Sequence, residues 1–248
     1  MKLKTYAGDV LVMNAIKDNT VPAERQVLDK VNYLGEKGVK VLILGNSITL
    51  HGPKPEIGWF SHWGMAASSR ENDYVHLLYE KARTAGFETV FCFVGVVDWE
   101  RGFWKREILD GFGNIREFKP DIIIFRLGEN ILPEDCDRHS LPQAITGLID
   151  YLAVAGHTKL IFTTCFWRHE KADKSIEEAA ASENADLVRL GDLGEDAGMK
   201  ALGLFEHSGV AAHPGDKGMA HIAERIWESL GKMLEEKTSI QKTEKETG

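Results

Sequence analysis

This chain of 248 residues has three cysteines, Cys92, Cys136 and Cys165, an odd number that includes no Cys-x-x-Cys pair. Such a count fits a reducing compartment better than a disulfide framework, with cytoplasm as the default. Cys92 and Cys165 lie in apolar strand-like runs and are expected to be inert core thiols. Long hydrophobic runs are missing as well, so no segment is read as spanning a membrane, and no membrane partner is expected. The start, Met1-Lys2-Leu3-Lys4-Thr5-Tyr6-Ala7-Gly8-Asp9, lacks the apolar stretch of a secretory signal. Basic clusters are absent: 30 Lys and Arg against 38 Asp and Glu give a formal charge of -8, which argues against nucleic acid as a partner. Gly45 to Gly52 shows neither the Gly-x-Gly-x-x-Gly spacing of a dinucleotide loop nor the Gly-Lys-Ser ending of a phosphate loop. Thr49 stands where a Gly-x-Ser-x-Gly elbow needs its second glycine. His207, His213 and Glu206 match no zinc spacing, so neither metal nor cofactor is expected.

What the chain does have is an ordinary apolar fraction of 43% arranged in alternating elements. Val27, Leu28, Val31 and Leu34 fall at helical spacing and predict a helix over Pro22 to Lys37. Short β-branched runs predict five strands: Val39 to Leu44, Phe87 to Val94, Asp121 to Leu127, Thr158 to Cys165 and Ala185 to Leu190. Helices are predicted over Glu71 to Ala85, Arg106 to Phe118 with a glycine interruption, Ser140 to Ala155, Lys171 to Ser182 and Asp216 to Leu234. Apolar strands alternating with helices imply an α/β domain with a mainly parallel sheet covered on both faces. The expected organisation is an N-terminal extension over 1–38, one domain over 39–234, and a polar, frayed tail over 235–248.

In open α/β sheets, ligands gather beyond the carboxyl ends of the strands, and that rule selects the polar residues to weigh. Ser47 ends the run Val41-Leu42-Ile43-Leu44-Gly45-Asn46-Ser47-Ile48-Thr49 and is the candidate nucleophile. A serine hydroxyl needs a base, and His213 stands out among nine histidines because Pro214 holds it in extended backbone just before the last helix. Acyl transfer also needs donors for an oxyanion: the Ser47 amide, the Asn130 side chain beyond the third strand, and a backbone amide at Gly95 beyond the second. Trp59, Trp63, Trp99, Trp104 and Trp167 follow strand ends near His51, Arg101 and Arg168, a set that would suit a polar ring such as an acylated sugar. Any one of these rings can equally pack the core.

Gly45-Asn46-Ser47-Ile48-Thr49, Gly128-Glu129-Asn130 and His213-Pro214-Gly215-Asp216-Lys217-Gly218-Met219 together resemble the first, third and last blocks of the SGNH hydrolases, the GDSL-like esterases and lipases. Over roughly Lys40 to Leu230 the resemblance implies a three-layer αβα flavodoxin-like sandwich and metal-free hydrolysis of a small-molecule or saccharide ester. It assigns Ser47 as nucleophile, His213 as base and Asn130 as oxyanion donor. Two departures stand out. Val210 occupies the position of the usual orienting aspartate, and Val94-Gly95-Val96-Val97-Asp98-Trp99-Glu100-Arg101 does not align cleanly with the second block. Glu206 or Asp192 could supply the acid from the preceding loop. Alternatively, a backbone carbonyl could replace it in a Ser-His dyad, as in some resembling carbohydrate esterases. The alternative reading is a non-catalytic carbohydrate-binding or scaffold protein on the same fold.

Overall fold

A computed structural model describes residues 31–247, with side chains through residue 240. Six strands, β1 (Val31–Leu34), β2 (Val39–Gly45), β3 (Thr89–Gly95), β4 (Ile122–Arg126), β5 (Lys159–Thr163) and β6 (Asp186–Val188), form one sheet in the order β1-β3-β2-β4-β5-β6. The strands β2 to β6 run parallel, and β1 pairs antiparallel along the outer edge of β3. In chain order the helices are α1 (Tyr74–Thr84), α2 (Val97–Glu100), α3 (Gly113–Glu117), α4 (Pro133–Arg138), α5 (Leu141–Leu152), α6 (Glu170–Ser182), α7 (Gly191–Glu195), α8 (Ser208–Ala211) and α9 (Asp216–Thr247).

Successive strand residues point to opposite faces, and here both faces are apolar. Val41, Ile43, Phe91, Phe93, Ile122 and Ile124 pack with Leu78 of α1 and Ile222, Ile226 and Leu230 of α9. Leu42, Leu44, Val94, Ile123 and Phe125 pack on the other side with Ile145 and Leu148 of α5 and Ile176 of α6. The result is the parallel sheet covered on both faces that the alternating pattern implied, and with it the three-layer αβα sandwich that the resemblance implied. Helix entry follows local chemistry. The Asp73 carboxylate accepts from the His76 amide at the start of α1, and Ser140 does so from Gln143 at the start of α5, where Pro142 needs no partner.

Three expectations need correction. The sheet has six strands, because Val31–Leu34, placed within a helix by the spacing of Val27, Leu28, Val31 and Leu34, is an edge strand registered from Val31 against Val94 to Leu34 against Phe91. Four residues rich in β-branched and aromatic side chains gain more from completing the β3 ladder than from one isolated helical turn. Of the rest of that predicted helix, 22–30 lies outside the described residues and 35–37 is a non-helical bend between β1 and β2. Arg106–Phe112 is 3-10 helix and only Gly113–Glu117 is α-helical, the glycines dividing the segment as their low helix propensity dictates. The final helix does not stop at Leu234 but continues to Thr247, through a stretch of Glu, Lys and Gln that are good helix formers. No helix among the described residues is long and apolar enough to cross a membrane.

Counted from β2, the parallel strands follow the 2-1-3-4-5 order of flavodoxin-like sheets, with chain connections leaving β2 in opposite directions toward β3 and β4. The loops after β2 and β4 therefore part at the sheet's switch point, where a crevice opens. Ser47 and Asn130 sit on those two loops.

Candidate active site

Ser47 follows β2 in a tight turn closed by Thr49 N–H and Leu50 N–H, both donating to the Asn46 carbonyl. Gly45 is needed for that turn, because a Cβ there would lie 1.8 Å from Thr49 Oγ1 and 2.9 Å from the Arg126 carbonyl. The Thr49 hydroxyl is tied to the Tyr74 hydroxyl at 2.7 Å, and Met65 N–H donates to the Ser47 carbonyl at 2.8 Å, so both sides of the turn are fixed.

Although 166 residues separate them, Ser47 Oγ and His213 Nε2 lie 2.8 Å apart. His213 Nδ1 lies 2.7 Å from the Gly209 carbonyl oxygen. A carbonyl can only accept, so in the neutral ring the proton sits on Nδ1 and Nε2 is left bare to accept from the serine hydroxyl. The Gly209 carbonyl is available because α8 is a single turn. Ser208 and Val210 give their carbonyls to the amides of Ala212 and His213, while that of Gly209 lies in the last turn with no helical amide to receive. Burial, and after it the positive charges of Arg126 and His51, lower the His213 pKa to about 4 against the opposing pull of Gly209. The imidazole is therefore in its base form at neutral pH.

The remaining sequence-predicted residues separate clearly. Asp192 cannot orient His213, since both its oxygens are taken by Arg225 at 2.6 and 2.7 Å. Glu206 is exposed, and the bond to Nδ1 that would have been its role is made by Gly209. Val210, at the position where the resemblance expects an acid, is fully buried beside Trp59, Met65, Ala66 and Ala201. Gly95 is the last residue of β3 and lies in register with Gly45, two residues before the nucleophile. Asn130 stands on the loop after β4 and donates through Nδ2 to Glu100 Oε2 at 2.6 Å. Gly128 begins that loop at φ +131, where a Cβ would meet Cys165 Sγ at 2.6 Å, so only glycine fits.

Sequence reasoning missed the polar floor beneath these loops. Arg126, fully buried at the end of β4, donates twice to Glu129 Oε1, at 2.8 and 2.6 Å. Glu129 in turn accepts from Asn46 Nδ2 at 2.5 Å and from Phe166 N–H at 2.9 Å. Glu100 of α2, also fully buried, accepts from Asn46 Nδ2 at 3.0 Å and from Gly128 N–H at 2.5 Å in addition to Asn130. The available signal was weak: Glu100 stands among Asp98, Trp99 and Arg101 in a stretch that failed to align.

Of the tryptophans, Trp167 reaches the dyad: its ring meets His213 edge to face at 4.9 Å, and its Nε1–H donates to the Ala212 carbonyl at 3.2 Å. Trp59 and Trp99 are core residues. Trp104 stacks on His139 at 4.4 Å and lines a cavity of about 740 Å³ that neither Ser47 nor His213 borders. Arg168 pairs with Glu195 at the surface. Cys92 and Cys165 are buried as expected, and burial raises the Cys92 thiol to about 12, far from a reactive thiolate. No cluster of three or more His, Cys, Asp or Glu side chains placed to hold a metal occurs among the described residues.

No protein-family profile matches the chain, and no curated protein matches it either. Solved structures do. A protein named as a GDSL-like lipase from Bacteroides ovatus aligns over 79% of this chain and 100% of its own at 16% identity and a TM-score of 0.50. A second, from Bacteroides uniformis, aligns over 79% and 97% at 18% identity and a TM-score of 0.50. A two-domain esterase active on acetylated mannans aligns over 79% of this chain but 49% of its own, at 15% identity and a TM-score of 0.50. This chain thus spans about half of that protein. The fold is that of the SGNH hydrolases.

Proposed function

We propose that this protein is a serine hydrolase that cleaves short-chain acyl esters, acetyl groups on carbohydrates foremost, through an acyl-enzyme on Ser47. The observation that carries the reading is the hydroxyl-imidazole-carbonyl line, Ser47 Oγ to His213 Nε2 at 2.8 Å and Nδ1 to the Gly209 carbonyl at 2.7 Å. In the reaction, Nε2 takes the serine proton as Oγ attacks the ester carbonyl. The Ser47 amide, the Asn130 amide and the Gly95 amide hold the developing oxyanion. The imidazolium then protonates the departing alcohol, and water activated by the same ring clears the acyl group. The carbonyl orients the ring and offers its negative end to the imidazolium, the two services an aspartate performs in a triad.

Trp167 beside the base, with His51 and Asn130, suits a small acyl group on a polar ring better than a long alkyl chain. The mannan esterase of the same fold supports that substrate class. A non-catalytic carbohydrate-binding or scaffold role drew its support from valine at the acid position and from the poorly aligned second block, and the Gly209 carbonyl beside His213 answers the first of these. The test is covalent. An organophosphonate probe is expected to label Ser47, and hydrolysis of p-nitrophenyl acetate to disappear in Ser47→Ala. Unlabelled protein, with turnover unchanged in the variant, would sink the proposal.

A further inference from the structure

We infer that Glu100 is the positioning residue of the oxyanion site: its buried carboxylate fixes the Asn130 amide and, through Asn46 and Gly128, locks the nucleophile loop to the oxyanion loop. This inference rests on the serine-hydrolase reading above. Glu100 belongs to α2, directly after β3, the place where the second block of the SGNH pattern fails to align. The side chain is fully buried, and each of its three partners is an N–H. Asn46 lies next to the nucleophile, Gly128 opens the loop after β4, and Asn130 lies two residues further on. One carboxylate therefore sets the spacing of the two loops that an oxyanion must bridge.

The donor geometry works only for the ionised acid. Oε1 accepts from Asn46 and Gly128, and Oε2 accepts from Asn130 Nδ2. A carboxylate meets all three donors with lone pairs. With one N–H of the Asn130 amide spent on Oε2, the other is left for the substrate. If Glu100 takes a proton, it does so on Oε2, the less engaged oxygen, and that O–H then faces an N–H. The conflict is relieved by turning the Asn130 amide to present Oδ1, which removes a donor from the oxyanion site.

The surrounding charges determine which acid takes that proton. Glu129, bridged to Glu100 through Asn46 Nδ2, accepts from both Nη1 and Nη2 of Arg126, and Nη1 also donates to Asn46 Oδ1 at 3.3 Å, whereas no cation among the described residues pairs with Glu100 directly. On its own element, Asp98 and Arg101 are exposed. Burial first, and then the negative charge of Glu129, raise Glu100 to about 7. Loss of the oxyanion donor is therefore expected as pH falls through neutrality, well above the range in which His213 protonates.

The experiment measures kcat and KM for p-nitrophenyl acetate across pH in the wild type, Glu100→Gln, Glu100→Asp and Asn130→Ala. At pH 8, Glu100→Gln is expected to lower kcat by about 100-fold, the size of losing one oxyanion donor, with little change in KM. Glu100→Asp is expected to recover part of that loss. The wild-type limb near neutrality should be absent in Asn130→Ala, a loop substitution that leaves the buried carboxylate in place. Adding Glu100→Gln to Asn130→Ala should lower kcat little further, because the two act as one unit. A neutral limb that persists in Asn130→Ala, or a folded Glu100→Gln with wild-type kcat, would overturn the inference. Failure of the serine reading would appear separately, as activity surviving Ser47→Ala.

Discussion

At the scale of single residues, the central question is what keeps His213 a base with no carboxylate touching it. Burial and the fields of Arg126 and His51 disfavour the imidazolium, and the Gly209 carbonyl recovers only part of that loss. The sign follows directly. A folded-state pKa near 4 means that Nε2 is free to accept at all pH values above it, and turnover, after the Glu100 limb near neutrality, falls again as pH drops through about 4. If Asp192 or Glu206 buttressed the ring, removing either charge would move that limb lower still and reduce kcat. Asp192 is held by Arg225, Glu206 is exposed, and the Gly209 carbonyl already occupies Nδ1, so neither does so. Asp192→Asn and Glu206→Gln are therefore expected to keep kcat within about twofold of wild type, with the lower limb unmoved, since exposed ion pairs contribute about 0–1 kcal/mol. A shifted limb in either pH-rate profile would restore that residue as the third catalytic group.

At the scale of elements, α8 does by backbone what a triad does by side chain. Ser208–Ala211 is too short to satisfy its own carbonyls, and it leaves Gly209 C=O for the imidazole. This explains why the missing acid, and a carbonyl as the alternative to it, could be read from the sequence while the particular carbonyl, that of Gly209, could not. Ser47 and Asn130 announce themselves as side chains beyond strand ends and His213 by the proline that follows it, whereas a carbonyl carries no residue-type signal. Glu100 was hidden for a different reason: an acid between the exposed Asp98 and Arg101 reads as surface until its donors, from loops 54 and 28 residues away, are known. The element view also predicts the outcome of rebuilding the expected motif. Val210→Asp would bury a carboxylate among Trp59, Met65, Ala66 and Ala201, at a cost of several kcal/mol without a partner. The variant should melt well below wild type and lose activity rather than gain a triad. Raised kcat with an unchanged melting temperature would show that α8 can turn this side chain toward His213.

At the scale of the whole molecule, the two ends of the sheet serve different purposes. The strand positions were legible because each parallel strand is built on a short apolar run, with charged residues such as Lys40, Arg126, Lys159 and Asp186 only near the strand ends, and β2 to β6 fall within about two residues of expectation. The two margins were less legible: β1 is too short to show a period of two, and the polar composition beyond Leu234 conceals a continuing helix. That continuation straps the end of the sheet opposite the site. Lys237 is buried and donates to the His157 carbonyl just before β5, while Glu236 pairs with Lys159 at the first residue of β5, 3.2 Å away. Ser47, Asn130 and His213 lie at the other end, beyond the strands' carboxyl termini. Stability and chemistry should therefore separate on truncation. Ending the chain after Leu234 removes these ties and uncovers Met233 and Leu234, which should lower the melting temperature by roughly 5 °C, the response of a domain this size to 1–2 kcal/mol. Ending it after Ile240 keeps them and should leave the melting curve close to that of the full chain. In both truncations, kcat at 25 °C should match the full chain, because the sheet holds the dyad independently of the strap. A fall in kcat after Leu234, measured where the protein remains folded, would mean that the far end of α9 reaches the site through Met219 and the His213 turn.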